Sequence, residues 1–177
     1  MASIFDPDDL HAITRSVAGR NDGQATCAQI VDELKQIYPR YVSDKNPWLF
    51  NRSGGGQGQL KVLHCSMFEY LLLYGTPTGT PRRSGREWIE VWDFVFDGEL
   101  WCCEEGKLEP TVYRPGRVAH LGKGRTMGWA VPSATFMLEY ARGPVQAMPP
   151  FGVADSILNT LACWTAGASV SRSCRMA

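Results

Sequence analysis

The sequence has 177 residues, of which 44% are hydrophobic and 11% aromatic, and this suits one domain with a substantial core. Eighteen basic residues balance eighteen acidic ones, so no overall field favours nucleic acid or an anionic surface. No apolar run is long enough for a membrane-spanning helix, and the first residues are too polar for a signal peptide. We therefore expect an intracellular protein without a transmembrane helix.

The first part of the chain is predicted to be mainly helical. Asp6 fits an N-cap with Pro7 at the first helical position, and a second amphipathic helix ends at Pro39. The apolar run from Leu60 to Tyr74 predicts a third, buried helix. Residues 1–75 are accordingly expected to form a helical flank.

From residue 86 onward, short β-type runs separated by turns replace the helical pattern. Asp97-Gly98 is a hairpin signal. We expect an antiparallel barrel or sandwich over 86–142, then a helix over 151–165 and a frayed tail over 166–177. No repeat or linker divides the chain, so residues 1–177 are expected to be one domain. The predicted strands cover 86–96, 99–103, 110–113, 117–121, 127–131 and 134–142.

The glycine-rich stretch from Ser53 to Gly58 has a superficial likeness to a phosphate-binding loop. It lacks the Gly-Lys-Ser/Thr ending of that motif and does not follow a buried strand. A tight turn is therefore the preferred interpretation.

The cysteines and histidines show no metal-binding pattern. The six cysteines have no CxxC spacing, and the adjacent Cys102 and Cys103 do not suit a disulfide framework, so free thiols are expected. The three histidines are scattered, with no HxH pair among the strands. No serine or cysteine lies in a nucleophile-elbow context either. We expect neither a metal nor a cofactor.

Two carboxylates lie inside apolar strands. Burying a lone charge costs roughly several kcal/mol. We therefore expect Asp93 and Glu139 either to pair with another side chain or to have a functional role. Side chains alternate along a strand, and each carboxylate therefore shares its face with largely apolar neighbours. These neighbours are Ile89, Val91 and Val95 for Asp93, and Thr135 and Met137 for Glu139.

The residues alone leave two explanations for these carboxylates equally open. They pair with Arg86, Arg142 or a tyrosine and hold the strands together, or they line an apolar cavity and perform acid–base or cation-binding chemistry. His64, on the predicted apolar helix, is more typical of a hydrogen-bonded core histidine than of a catalyst.

A series of motifs in collinear order resembles the fungal sterol C-8 isomerase and sigma-1 receptor family over about residues 3 to 160. Any one motif is weak, but the order and spacing of the whole series are specific. The motifs are Phe50-Asn51 with the glycine loop, Leu63 to Tyr70, Tyr74 to Thr76, Ser84-Gly-Arg86 leading to Asp93, Tyr113 to Gly116, His120 with its following glycines, Met137 to Gly143, and Pro150 to Asp155.

The resemblance implies an α+β fold, with a cupin-like antiparallel β-barrel flanked by helices and a hydrophobic cavity inside. It implies that Asp93 and Glu139 are the paired acids of that cavity and that Tyr70 supports Glu139. His120 matches a family histidine, to which we assign no role, and His64 remains an outside candidate. Family members form trimers, so a homo-oligomer is expected by analogy.

The function implied is a cofactor-independent isomerase that moves a double bond in a hydrophobic sterol-like or terpenoid substrate. An apolar barrel can keep a carboxylic acid un-ionised, which protonation of an alkene requires. The carbocation would be stabilised by the remaining carboxylate and by aromatic faces. The aromatic candidates for substrate binding are Trp88, Trp92 and Trp129.

The chain departs from the family pattern at four places. It starts without the N-terminal membrane helix, and its C-terminal helical pair is shortened to about one helix. Arg83 stands where a histidine is usual, and Gly56-Gln57 replaces an aromatic residue. These changes make two alternatives credible: an isomerase or cyclase of specialised metabolism on a non-sterol substrate, and a non-catalytic binder of hydrophobic amines. The location is expected to be soluble or peripheral on the endoplasmic reticulum membrane.

Overall fold

The computed structural model describes residues 3–86 and 88–145. The predicted C-terminal helix over 151–165 and tail over 166–177 lie outside the described residues. Two helices and ten strands make up the described part. They are α1 (Pro7–Ser16), α2 (Gly23–Ile37), β1 (Leu49–Ser53), β2 (Gly56–Cys65), β3 (Glu69–Thr76), β4 (Thr80–Arg83), β5 (Glu90–Asp97), β6 (Leu100–Glu104), β7 (Thr111–Tyr113), β8 (Arg117–Leu121), β9 (Met127–Val131) and β10 (Thr135–Arg142).

The strands form two antiparallel sheets that face each other. The larger sheet has the order β1-β2-β3-β10-β5-β8, and the smaller has the order β4-β9-β6-β7. A shared apolar cluster fills the space between them, with Val95 and Met137 from the larger sheet against Leu100 and Trp129 from the smaller. The predicted α+β class with antiparallel strands is confirmed. The two sheets do not close into a barrel, because the ladders of the described residues stop at the short edge strands β4 and β7.

Both helices cover the outer face of the larger sheet, which we call the reverse face. Leu10 of α1 and Ile30 of α2 are fully buried in a cluster with Phe94 and Leu138 of the sheet. The N-cap predicted at Asp6 is confirmed, since its side chain accepts a hydrogen bond from the backbone N–H of Asp8. Within the described residues, no helix is long and apolar enough to cross a membrane.

The predicted helix over residues 60–74 is wrong, and the flank of residues 1–75 is therefore not mainly helical. These residues belong to β2 and β3, which are joined by a turn in which the Ser66 hydroxyl accepts hydrogen bonds from the backbone N–H groups of Phe68 and Glu69. Strand β3 is buried on both faces, between the helices and the smaller sheet. An apolar run without alternation is common to a doubly buried strand and a buried helix, which explains the error.

Glycines shape two of the connections. Gly54 and Gly55 have φ values of 59° and 85° and form the two-residue turn between β1 and β2, so the preferred tight turn is confirmed. Gly98 also has a positive φ, of 80°. However, β5 and β6 belong to different sheets, so the hairpin predicted at Asp97-Gly98 is wrong. This turn instead sends the chain from one sheet to the other.

The ring of Phe136 fills the space left by two glycines, and this contact ties α2 to the larger sheet. Gly75 is the cross-strand partner of Phe136 on β3, and Gly23 lies at the start of α2. A Cβ atom added at Gly75 would lie 2.6 Å from Cδ1 of Phe136. The absence of a side chain at Gly75 is therefore required by packing.

We predict that Gly75→Ala lowers the free energy of unfolding by about 1–3 kcal/mol, because the buried ring must move. Gly122→Ala is the matched control, since its new Cβ would only reach ordinary contact, 3.8 Å from Cγ of Arg125. That variant is expected to stay within about 0.5 kcal/mol of the wild type. Urea unfolding followed by circular dichroism measures both, and equal stabilities would contradict the packing argument.

Candidate active site

Two carboxylates face each other at the middle of the larger sheet. Glu139 on β10 and Asp93 on β5 are direct cross-strand partners. Their residues are only 9% and 7% exposed, respectively. Directly opposed side chains on neighbouring antiparallel strands have Cβ atoms about 4.5–5.5 Å apart. The structure therefore places the two predicted acids together, on the face that looks toward the smaller sheet.

The surroundings of this pair are apolar. Leu72 on β3 is the partner of Glu139 on its other side, and Ala119 on β8 is the partner of Asp93. Along the strands, the same face carries the apolar neighbours expected from the alternation, including Val95 of β5. On its outer side, each carboxyl-bearing residue of the pair thus has an apolar cross-strand partner.

Tyr70 supplies a hydrogen bond to the pair. Its phenolic O–H donates to Oε1 of Glu139 at 2.5 Å, and the tyrosine is itself buried. Such a short bond to a carboxyl oxygen fixes the orientation of that side chain. The contact implied by the resemblance is therefore present.

The two arginines that could have neutralised the pair are engaged elsewhere. Arg142 forms an ion pair with Glu90 at 3.0 Å, and Arg86 forms one with Glu105 at 2.6 Å. Both ion pairs are partly or largely exposed. The pairing explanation is therefore met by a tyrosine, Tyr70 at Glu139, while both arginines form ion pairs elsewhere.

Among the three candidate tryptophans, Trp129 is the one that lies in the interior between the sheets. It is buried on β9, and its ring meets that of Tyr74 edge to face with centroids 5.9 Å apart. Trp92 precedes Asp93 on β5 and lies on the reverse face, stacked on Tyr140. Trp88 precedes β5 and is 73% exposed.

The two candidate histidines lie on the reverse face, away from the carboxylate pair. Nδ1 of His64 is 2.9 Å from the carbonyl oxygen of Tyr41, and its ring packs edge to face on Phe5. His120 stacks on Trp92 with centroids 4.7 Å apart. Neither contact points toward the space between the sheets.

Cys102 was not recognised as a site residue from the sequence. It is buried on β6 in the cluster between the sheets, where it lies opposite the larger sheet. Burial raises the pKa of its thiol well above the usual value, and the negative charges of Asp93 and Glu104 add to the increase. Alternation along β6 was the available signal, because it turns Leu100 and Cys102 inward together.

Within residues 3–86 and 88–145, no group of three or more His, Cys, Asp or Glu side chains is arranged to hold a metal ion. Among the cysteines described there, Cys27, Cys102 and Cys103 carry free thiols. The arrangement on the inner face is thus a pair of carboxyl groups, a tyrosine hydroxyl and an apolar wall. Chemically, such a group can exchange a proton with a hydrophobic molecule or bind a cation.

Comparisons with known proteins point to one family. The family described as "ERG2 and Sigma1 receptor like protein" matches residues 1–176. A C-8 sterol isomerase of Pyricularia oryzae is 37% identical over 162 residues, covering 89% of this chain and 73% of that protein. A C-8 sterol isomerase of Mycosarcoma maydis is 31% identical over 177 residues, covering 94% of this chain and 73% of that protein.

Solved structures give a weaker likeness. An RmlC-like cupin from Shewanella frigidimarina is 15% identical, with a TM-score of 0.46, covering 59% of this chain and 94% of that one. A TM-score of this size adds nothing to the architecture described above.

The cysteines provide a test of the interior. Burial raises the pKa of Cys27 to about 12, and that of Cys102 also rises, whereas Cys103 is partly exposed. The thiolate is the reactive form, and raised pKa values keep both buried thiols protonated until strongly alkaline pH. We predict that iodoacetamide at about pH 8 labels Cys103 in the native protein, and Cys27 and Cys102 at least about 100-fold more slowly.

Peptide mass spectrometry after timed labelling measures these rates. The same reaction in urea is the control, because unfolding should bring the three thiols to similar rates. Native labelling of Cys102 as fast as that of Cys103 would contradict its placement between the sheets.

Proposed function

The chain belongs to the ERG2 and Sigma1 receptor like family, and from this we propose that it is a sterol isomerase that shifts a carbon–carbon double bond. The relatives described above are C-8 sterol isomerases by name. One observation carries the proposal: Asp93 and Glu139 are opposed across neighbouring strands, buried, and turned toward an apolar interior. A hydrophobic alkene could lie against both carboxyl groups at once.

The proposed reaction needs one proton shared by the pair. The reaction is proposed to start with one carboxyl group of the pair protonated and the other ionised. The protonated carboxyl donates this proton to one alkene carbon, and the π electrons form the new C–H bond. The adjacent carbon becomes a carbocation. A carboxylate then removes a proton from a neighbouring carbon, whose C–H electrons form the new double bond.

This sequence balances without a cofactor. One proton enters the substrate and one leaves it, no electrons are exchanged with another molecule, and the pair returns to its starting state. The roles of acid and base belong to the pair and are not assigned to either residue.

The remaining residues of the inner face are proposed to support this chemistry. Tyr70 holds Oε1 of Glu139, which orients the carboxyl group. The apolar wall excludes water, which would otherwise capture the carbocation. The rings of Trp129 and Tyr74, in the cluster between the sheets, offer π faces to a cationic intermediate.

We predict that Asp93→Asn and Glu139→Gln each lower kcat on a Δ8-sterol by at least about 100-fold, because each removes one of two groups that exchange protons with carbon. Asp97→Asn is the matched control. It makes the same substitution on the same strand, at an end that is only partly buried, and should keep wild-type turnover. Conversion is followed by mass spectrometry, with circular dichroism to verify folding.

Wild-type turnover in either amide variant would contradict the proposed roles. If the wild type leaves a Δ8-sterol unchanged but converts a component of a lipid extract, the non-sterol isomerase is favoured. If it converts nothing and binds an alkyl tertiary amine in a manner that depends on Glu139, the non-catalytic binder is favoured.

A further inference from the structure

Three aromatic rings form a stacked ladder on the reverse face, directly behind the carboxylate pair. Tyr140 on β10 and Trp92 on β5 are cross-strand partners, with ring centroids 5.3 Å apart and planes inclined by 23°. Trp92 is in turn the partner of His120 on β8, with centroids 4.7 Å apart and planes inclined by 20°. The ladder therefore spans β10, β5 and β8 in one row.

The ladder and the carboxylate pair occupy consecutive positions of the same strands. Trp92 and Tyr140 are the immediate neighbours of Asp93 and Glu139, and their side chains leave the sheet on the opposite face. A one-residue slip of β5 against β10 would break the stack, and it would separate the two carboxyl groups at the same time.

Further contacts hold the middle ring and one end of this row. Glu90 and Arg142, also cross-strand partners, form an ion pair at 3.0 Å, and the Arg142 guanidinium lies 5.1 Å from the centre of the central Trp92 ring. At the Tyr140 end, the hydroxyl of that residue donates to Oε2 of the buried Glu69 at 3.0 Å.

Glu69 also accepts a hydrogen bond from the backbone N–H of Ile4 at 2.9 Å. This contact lies beyond the ladder, on the N-terminal segment. The series of contacts thus runs from the N-terminal segment, through Glu69 and the three rings, to the edge strand β8.

We propose that this ladder sets the separation and register of Asp93 and Glu139, and that Trp92 is a positioning residue for the pair. The inference rests on the proposed function. Burying two opposed carboxyl groups costs hydration free energy, whereas stacked aromatic partners favour close pairing of the two strands. Proton transfer to carbon depends on sub-ångström placement of the donor, so loosening the ladder should slow the chemical step before it affects substrate binding.

The test compares three variants at the reverse face. Trp92→Leu removes the central ring, and Trp92→Phe keeps a ring that can stack. We expect Trp92→Leu to lower kcat by at least about 10-fold with KM within about twofold of the wild type, and Trp92→Phe to restore most of the loss. Phe136→Leu is the matched control, because it removes a ring from the same face of β10 at a distance from the pair. The kcat of Phe136→Leu, calculated for the folded fraction of the protein, should equal that of the wild type.

A second readout does not depend on turnover. The infrared carboxyl bands of the pair are identified by their loss in Asp93→Asn and in Glu139→Gln. Trp92→Leu should shift or broaden these bands, and Phe136→Leu should leave them unchanged.

The inference is overturned if Trp92→Leu, verified as folded, keeps both the wild-type kcat and the wild-type carboxyl bands. It is also overturned if Phe136→Leu has the same effects as Trp92→Leu, since the role would then be general stability. The amide variants distinguish this failure from that of the proposed function. If they abolish turnover while Trp92→Leu changes neither turnover nor the carboxyl bands, the ladder inference alone fails. If they retain turnover, the proposed function fails, and the infrared comparison still decides the positioning role.

Discussion

The opposition of two carboxyl groups across β10 and β5 is the costly feature around which this structure is arranged. Burial removes the hydration of both carboxyl groups, and this costs most for whichever group is ionised. The structure surrounds Asp93 and Glu139 with interactions that offset these costs. Tyr70 donates to Glu139 on the inner face, and the two strands continue through well-paired apolar residues above and below the pair. Buried, opposed carboxyl groups of this kind are typical of functional sites.

The two faces of the larger sheet carry different kinds of side chain. Its inner face, opposite the smaller sheet, carries the carboxyl pair, Tyr70 and the apolar wall. Its reverse face carries the helices, the aromatic row and the ion pair between Glu90 and Arg142. Since side chains alternate along each strand, consecutive residues lie on opposite faces of the sheet, as Trp92 and Asp93 do. The helices thus contribute to the site through the sheet and not by direct contact with it.

The sequence was most informative where a pattern has a single physical explanation. The cap at Asp6, the paired glycines after Ser53 and the alternation around Asp93 and Glu139 each follow from local rules, and each is present in the structure. The helix predicted over residues 60–74 failed because burial on both faces removes the alternation that marks a strand. The division of the strands into two sheets, and the placement of His120 behind the site, depend on long-range pairing. Local spacing does not determine such pairing.

The most direct test of the account is a single turnover of a Δ8-sterol by the wild-type protein in heavy water. Protonation of an alkene carbon by an exchangeable carboxyl group must deliver a solvent-derived hydrogen to carbon. The account predicts one deuterium at the newly saturated carbon of the isomerised product, located by mass spectrometry and NMR. An isomerised product without deuterium would show that hydrogen moves within the substrate, and it would contradict the proposed role of Asp93 and Glu139.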